Sequence, residues 1–217
     1  MTNLSSSDFP IYHVTLLRHG ESVGNAEGYH QGHADFELTE KGRAQARALA
    51  SRWLTEGVTF DHAMTSPLLR ARQTAEIIAS ALNIPLELNP LWMETDIGLR
   101  SGMKSEEAAQ RLPQSDFMHP YQAIGETGES WWELYLRGGR AVQDLIRRPP
   151  QRYLAISHGG ILNMVLYAML GIVPQADFHG PRFRFQNTGF ATLTYEPHQH
   201  KWRVLGINDR GHWHDED

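Results

Sequence analysis

The apolar and polar positions of the chain alternate between two periods. His13-Val14-Thr15-Leu16-Leu17 is a short apolar run that ends at Arg18-His19-Gly20, which predicts a buried strand with a turn at the glycine. From 40 to about 54 the spacing changes to three and four: Ala46, Leu49, Ala50 and Trp53 form a stripe, Arg43 and Arg47 fall outside it, and Thr39 stands ready to cap. A second strand is predicted over 60–65. Ser66-Pro67 then reads as an N-cap followed by proline at the first helical position, with a helix running through Leu68, Ala71, Ala75, Ile78 and Leu82. Residues 99–127 are less regular. They hold a short helix predicted over 105–112 and are broken by Pro113, Pro120 and Gly125. Ser130 caps a further helix to about Arg147, stopped by Pro149-Pro150. A strand over 153–157 leads to His158-Gly159-Gly160 and an apolar helix ending at Gly171, and strands are expected over 189–195 and 202–208.

Strands alternating with helices predict an α/β protein: a three-layer α/β/α sandwich with a mainly parallel central sheet and a small helical lid excursion at about 99–127. One domain over 1–217 is expected, with a loose leader at 1–10 and a polar, mobile tail at 211–217. The leader has neither a positive residue nor an apolar core, so it does not read as a signal peptide. The longest uncharged apolar stretch, 161–174, is interrupted by Asn163 and Gly171 and is shorter than the ~20 residues that span a bilayer. No membrane partner is expected. The 217 residues include no cysteine, which excludes disulfides, thiolate nucleophiles and cysteine zinc sites and suits a cytoplasmic setting. Net charge is −5 with no basic run, so no nucleic-acid partner is expected either.

The candidate chemistry lies at the strand ends. Two apolar strands each finish in His-Gly, at His19 and His158, and ligands of parallel α/β sheets sit beyond the carboxyl ends of the strands. Both histidines are therefore expected on one rim, where glycine lets backbone N–H groups approach an anion. Arg70, one turn into the helix after the second strand, can reach the same rim. Glu94 lies in a plausible strand-end loop before Gly98. Singly each has a bland reading: a satisfied buried histidine, a solvated arginine, a surface glutamate. Their conjunction on one predicted edge is what carries weight.

The ordered motifs Leu17-Arg18-His19-Gly20-Glu21-Ser22 with Asn25, Gln31-Gly32, Thr65-Ser66-Pro67-Leu68-Leu69-Arg70, Leu91-x-x-Glu94, Gly128-Glu129-Ser130, Ser157-His158-Gly159 and Asn187-Thr188-Gly189 run over most of the chain. In this the sequence resembles the histidine phosphatase superfamily, also called phosphoglycerate mutase-like. The resemblance implies that His19 is the nucleophile that becomes phosphohistidine. Arg18, Arg70 and His158 would hold the phosphoryl oxygens, with Asn25, Gln31 and Gly159 as further phosphate contacts. Glu94 would be the general acid and then the base. It implies a metal-independent phosphomonoesterase acting on a small phosphorylated substrate, with no cofactor. A neutral imidazole suits that task because it attacks a dianion without charge repulsion, while two arginines and a cationic His158 meet the growing charge. The rival readings are a phosphoglycerate mutase and a non-catalytic phosphate-binding module. Mutases carry a longer insertion and richer basic contacts than 99–152 supplies, and a binding module would have lost a core residue.

Other features read more plainly. His30-x-x-His33 reads as a solvated loop, Arg72 as a salt-bridge partner, and Arg140, Arg147 and Arg148 as a solvated face. His198-x-His200 and His212-x-His214, with Asp215 and Asp217, are metal-prone but are not expected to hold a catalytic metal. Arg100-Ser101 stand where relatives carry an aromatic-Glu pair, which suggests an extra cation for a second anionic group. Substrate preference is expected to reside in the excursion. The C-terminal strands could form the edge of a homodimer.

Overall fold

The computed structural model describes residues 10–113 and 115–214. The leader, apart from Pro10, and the last three residues of the tail lie outside the described residues. β1 (Tyr12–Arg18) is followed by a one-turn helix α1 (Val23–Ala26), α2 (Glu40–Glu56), β2 (His62–Thr65), α3 (Leu69–Leu82) and β3 (Leu86–Leu88). Then come α4 (Ser105–Arg111), α5 (Trp131–Ile146), β4 (Arg152–Ser157), α6 (Gly159–Leu170), β5 (Phe190–Glu196) and β6 (Lys201–Asp209). The six strands form one sheet in the order β3-β2-β4-β1-β5-β6. The pairs β1–β4, β4–β2 and β2–β3 are parallel, and β5 and β6 add an antiparallel edge.

The chain moves one way across the sheet from β1 to β2 to β3, then turns back to β4. Right-handed crossovers in opposite directions put their helices on opposite faces. Accordingly α2 and α3 pack together on one face and α5 and α6 on the other. The strand side chains divide by period two between the layers. Leu17, Leu154, Ile156 and Ala63 join Leu49, Trp53, Ala71 and Ile78, whereas Val14, Leu16, Met64 and Ala155 join Leu134, Leu145, Ile161 and Val165. The predicted α2 stripe is buried as expected. Among the described residues no helix is long and apolar enough to cross a membrane.

Two local expectations need correction. β3 was not foreseen, because three residues between Pro85 and Pro90 are too few to show a period. The helix after β2 starts at Leu69, with Leu68 as N-cap, and not at Pro67. The Ser66 N–H still donates to Ile156 O on β4, so the sheet ladder extends through Ser66 and the chain must turn before it can coil. Ser66 Oγ accepts from Leu68 N within that turn, and Asp35 Oδ1 accepts from Leu69 N at 2.6 Å in place of a local cap. Thr39 and Ser130 do cap α2 and α5, Ser130 in a reciprocal capping box with Glu133.

α5 and α6 approach closely at Gly138. A Cβ there would stand 2.9 Å from the carbonyl carbon of Met164 and 3.0 Å from its oxygen. Alanine ordinarily gains about 1 kcal/mol over glycine in a helix interior. Here the backbone of α6 opposes it, so Gly138→Ala lowers the thermal midpoint. A raised midpoint in a melting experiment would show that the two helices separate without cost.

Candidate active site

The register of the central pair creates the site. Arg18 on β1 stands opposite Ser157 on β4, so the next residues, His19 and His158, leave the sheet side by side, and His19 N–H donates to Ser157 O at 2.9 Å. The imidazole centroids are 5.1 Å apart. β2 ends beside β4, with Thr65 opposite Ile156, and from there α3 presents Arg70 in its first turn. The strand-end prediction therefore brings two histidines and two arginines to one rim.

His19 is 2% exposed, and its Nδ1 lies 2.6 Å from Gly20 O. A carbonyl only accepts, so Nδ1 carries the proton and Nε2 keeps its lone pair. Burial, and then Arg70 and Arg18, hold the His19 pKa well below the usual imidazole value. Arg70 is 1% exposed, and its Nη atoms donate to Ala34 O and Gly32 O at 3.0 and 2.8 Å. Burial lowers its pKa to about 10, which leaves it a cation at neutral pH. Arg18 Nη1 donates to Phe185 O at 2.7 Å, and burial lowers its pKa too. Both arginines thus rest on carbonyl oxygens, and their Nε atoms are buried without a protein partner. Both ring nitrogens of fully buried His158 lack one as well. Unpaired buried polar nitrogens are costly, and here they belong to the residues that neighbour His19, its ring beside that of His158 and its charge state acted on by Arg70 and Arg18, which is the setting of an oxyanion site.

The expectation of a cationic His158 concerns the transition state; in the resting site its surroundings disfavour the charged ring. Burial first, then Arg70, His19 and Arg18, push its pKa well below the ordinary value. Only an arriving anion could reverse that balance.

Glu94 completes the rim in an unexpected manner. α6 begins at His158, which caps the helix without a side-chain hydrogen bond. The carboxylate of Glu94 takes that role: Oε2 accepts from Gly160 N at 3.3 Å and Oε1 from Ile161 N at 3.2 Å, the two amides an N-cap side chain would serve. Thr95 N donates to Oε1 as well, at 2.9 Å. A Cβ on Gly160 would lie 2.5 Å from Glu94 Oε1, so this close approach requires glycine. Gly159 has open space around its Cα; of the two glycines, Gly160 is the constrained one.

Two supports of Glu94 escaped sequence reading. The guanidinium of Arg137 donates to Leu91 O, Met93 O and Glu94 O and pairs with Glu129, which also accepts from Asp96 N. Its position, three residues after Leu134 and one before Gly138 on the buried stripe of α5, was the available signal. His33 Nε2 lies 2.7 Å from Glu94 O, so this histidine is tied to the acid segment and does not belong to a solvated loop. Asn25 and Gln31 hold Ser22 with their amide oxygens at 3.0 and 2.7 Å, and Asn187 Nδ2 also donates to Asn25 Oδ1.

Other residues serve the frame. Arg72 pairs with Glu76, as expected. Arg148 is not merely solvated, for it bridges Glu87 and Asp144. Arg100 turns to Leu112 O, inside the excursion. His212 is bound to Thr188 Oγ1, so the start of the polar tail is fastened to the body. Among the described residues no group of three or more His, Asp or Glu is placed to hold a metal. A cavity of about 710 Å³ is walled by α6, Trp131 and residues of the segment 174–185.

A doubly wound α/β protein whose buried imidazole faces clustered cations is built to handle phosphoryl groups. Residues 14–210 match the model of the histidine phosphatase superfamily (branch 1). The chain belongs to this superfamily and is an enzyme of the histidine phosphatase type. It is 34% identical over 199 residues to a protein of Enterobacter sp. (strain 638) named "Probable phosphoglycerate mutase GpmB", covering 89% of this chain and 88% of that one. Among solved structures, YhfR of Bacillus stearothermophilus superposes with a TM-score of 0.81 at 27% identity, over 93% of this chain and 98% of that one. A phosphoserine phosphatase of Entamoeba histolytica in complex with 3-phosphoglyceric acid superposes with a TM-score of 0.75 at 26% identity, over 93% and 98%.

Two outcomes are expected. Gly160→Ala drives the new Cβ into the side chains of Glu94 and Thr95, so kcat drops by roughly 10²-fold or more, the worth of a general acid, while the disturbed cap of α6, read from the melting midpoint, costs no more than the ~1 kcal/mol of a lost N-cap. Arg137→Met leaves Glu129 and three carbonyls without their cation, and urea unfolding should register a loss of about 3 kcal/mol.

Proposed function

We propose that the protein hydrolyses the phosphate monoester of a small phosphorylated metabolite through a phosphohistidine at His19. Nε2 of His19 attacks phosphorus as the ester P–O bond breaks, and protonated Glu94 gives its proton to the leaving oxygen. Water then attacks the phosphohistidine, Glu94 takes a proton back, the P–N bond breaks, and phosphate leaves. Arg18 and Arg70, with His158, receive the equatorial oxygens as charge spreads over them. Asn25, Gln31 and the Gly159 segment are further phosphate contacts in this reading. No metal is needed in it, because the chain supplies its own cations.

The observation that supports this most is the set of unpaired buried nitrogens of Arg18, Arg70 and His158 around a histidine whose tautomer is set by Gly20 O. All five residues required by the chemistry are present, which speaks against a module that only binds phosphate. A cytoplasmic setting belongs to the same reading, since phosphorylated metabolites are retained there. The name of the Enterobacter relative keeps a phosphoglycerate mutase as the second reading.

A chromogenic aryl phosphate assayed in EDTA separates the two. Turnover that disappears in His19→Ala, together with acid-labile phosphate trapped on His19, is the expected result. Silence there, with interconversion of phosphoglycerates after bisphosphate priming, would overturn hydrolysis in favour of the mutase. The pH profile is a separate check. Because the pKa of His19 is held well below 6.5, the nucleophile stays neutral as pH falls through 6.5, and kcat/KM shows no imidazole-like loss there.

A further inference from the structure

The cavity of about 710 Å³ adjoins the reacting centre at two points. Gly159 and Gly160 line it, and Gly160 N is a donor to Glu94 Oε2. Phe185 lines it too, and its carbonyl holds Arg18. The amide that holds Glu94 and the carbonyl that holds Arg18 therefore both belong to residues of its wall, which sets the cavity beside the proposed proton donor and one proposed phosphate clamp. We infer that this cavity receives the leaving group, and that the preferred substrate is the phosphate ester of a large, ring-bearing, mainly apolar alcohol. The inference rests on the hydrolase reading above and names the substrate class for it.

The lining supports that class. Trp131, Met164, Tyr167, Phe178 and Phe183 supply an apolar and aromatic wall. Phe178 meets Trp131 edge-on with centroids 4.4 Å apart, and the Arg182 guanidinium lies over the Phe178 ring at 5.4 Å. Such surfaces accept a flat ring. The volume lies within the roughly 300–1,000 Å³ typical of cavities for drug-sized ligands, and a three-carbon phosphorylated acid would leave most of it to water.

The wall is also pre-formed. Asn163 on α6 pairs both ways with the backbone of Phe183, accepting from N at 2.8 Å and donating to O at 2.9 Å. Tyr167 Oη donates to Pro181 O at 2.6 Å. Met118 and Asp177 exchange hydrogen bonds, which fastens the wall to the excursion. Phe178 is kept at φ 56°, a costly conformation for a bulky residue, and such strain persists where surrounding structure enforces it. A rigid wall binds without paying the entropy of ordering a loop.

The test uses 1-naphthyl phosphate as bulky ester and glycerol 3-phosphate as small one. The inference predicts at least tenfold higher kcat/KM for the naphthyl ester, and a loss of roughly 10- to 100-fold on that ester alone in Phe178→Ala, the scale of a defect in an apolar pocket. Comparable kcat/KM for the two esters, or equal losses on both, overturns it. Binding gives an answer independent of turnover. Calorimetry on His19→Ala should show 1-naphthyl phosphate bound at least tenfold more tightly than inorganic phosphate, with the difference gone after Phe178→Ala. Equal affinities would sink the leaving-group assignment, whereas tight binding by a wild-type protein that turns over neither ester would sink only the hydrolase reading.

Discussion

The structure depends on keeping positive charge next to an imidazole, with no carboxylate among the described residues hydrogen-bonded to Arg18 or Arg70. Arg70 is buried and Arg18 half-buried, and each spends its hydrogen bonds on carbonyl oxygens. A carbonyl satisfies a guanidinium without cancelling its charge. The uncancelled charge has two effects that work together. Added to burial, which is the larger cause, it depresses the pKa of both His19 and His158, so that both rings rest uncharged, and it leaves the rim attractive to an anion. One arrangement thus prepares both the attacking group and the binding of its target.

The cost of that arrangement is distributed over the fold. Arg70 needs the 32–34 loop within reach of α3, and Asp35 in the same loop serves the first amide of that helix. Arg18 needs the wall segment at Phe185. Glu94 serves the architecture, because its carboxylate finishes α6 where the side chain of His158 makes no cap. A helix whose N-cap residue offers no capping bond has to borrow one, and the borrowed one comes from the loop at Glu94. Arg137 and His33 then fix the backbone of Glu94 from two sides, which converts a loop residue into a positioned one.

Much of this was legible in one dimension. Short apolar runs ending in His-Gly identify strands that deliver a side chain to the sheet rim, and helices of period three to four between them imply a parallel sheet. Ser130 and Thr39 cap where expected. β3 was illegible because it is held by pairing with β2, not by its own pattern. Ser66-Pro67 misled because a local helix-start signal competed with a ladder bond to Ile156, and the ladder won. Arg137 stood on the buried stripe of α5 and could have been noticed there. Nothing local marks His33 as a support for Glu94, since its partner is a carbonyl 61 residues away.

The sequence alone determined the element types, the ends of the strands and the chemical identity of the groups at the rim, because periodicity and residue chemistry are local properties. Tertiary structure decided three further things. It made His158 neutral by burying it beside cations, it turned Glu94 into the cap of α6, and it formed the aromatic cavity by folding 174–185 against that helix. Each depends on the electric field or the volume between segments distant in the chain, and neither is set until the sheet has brought those segments together.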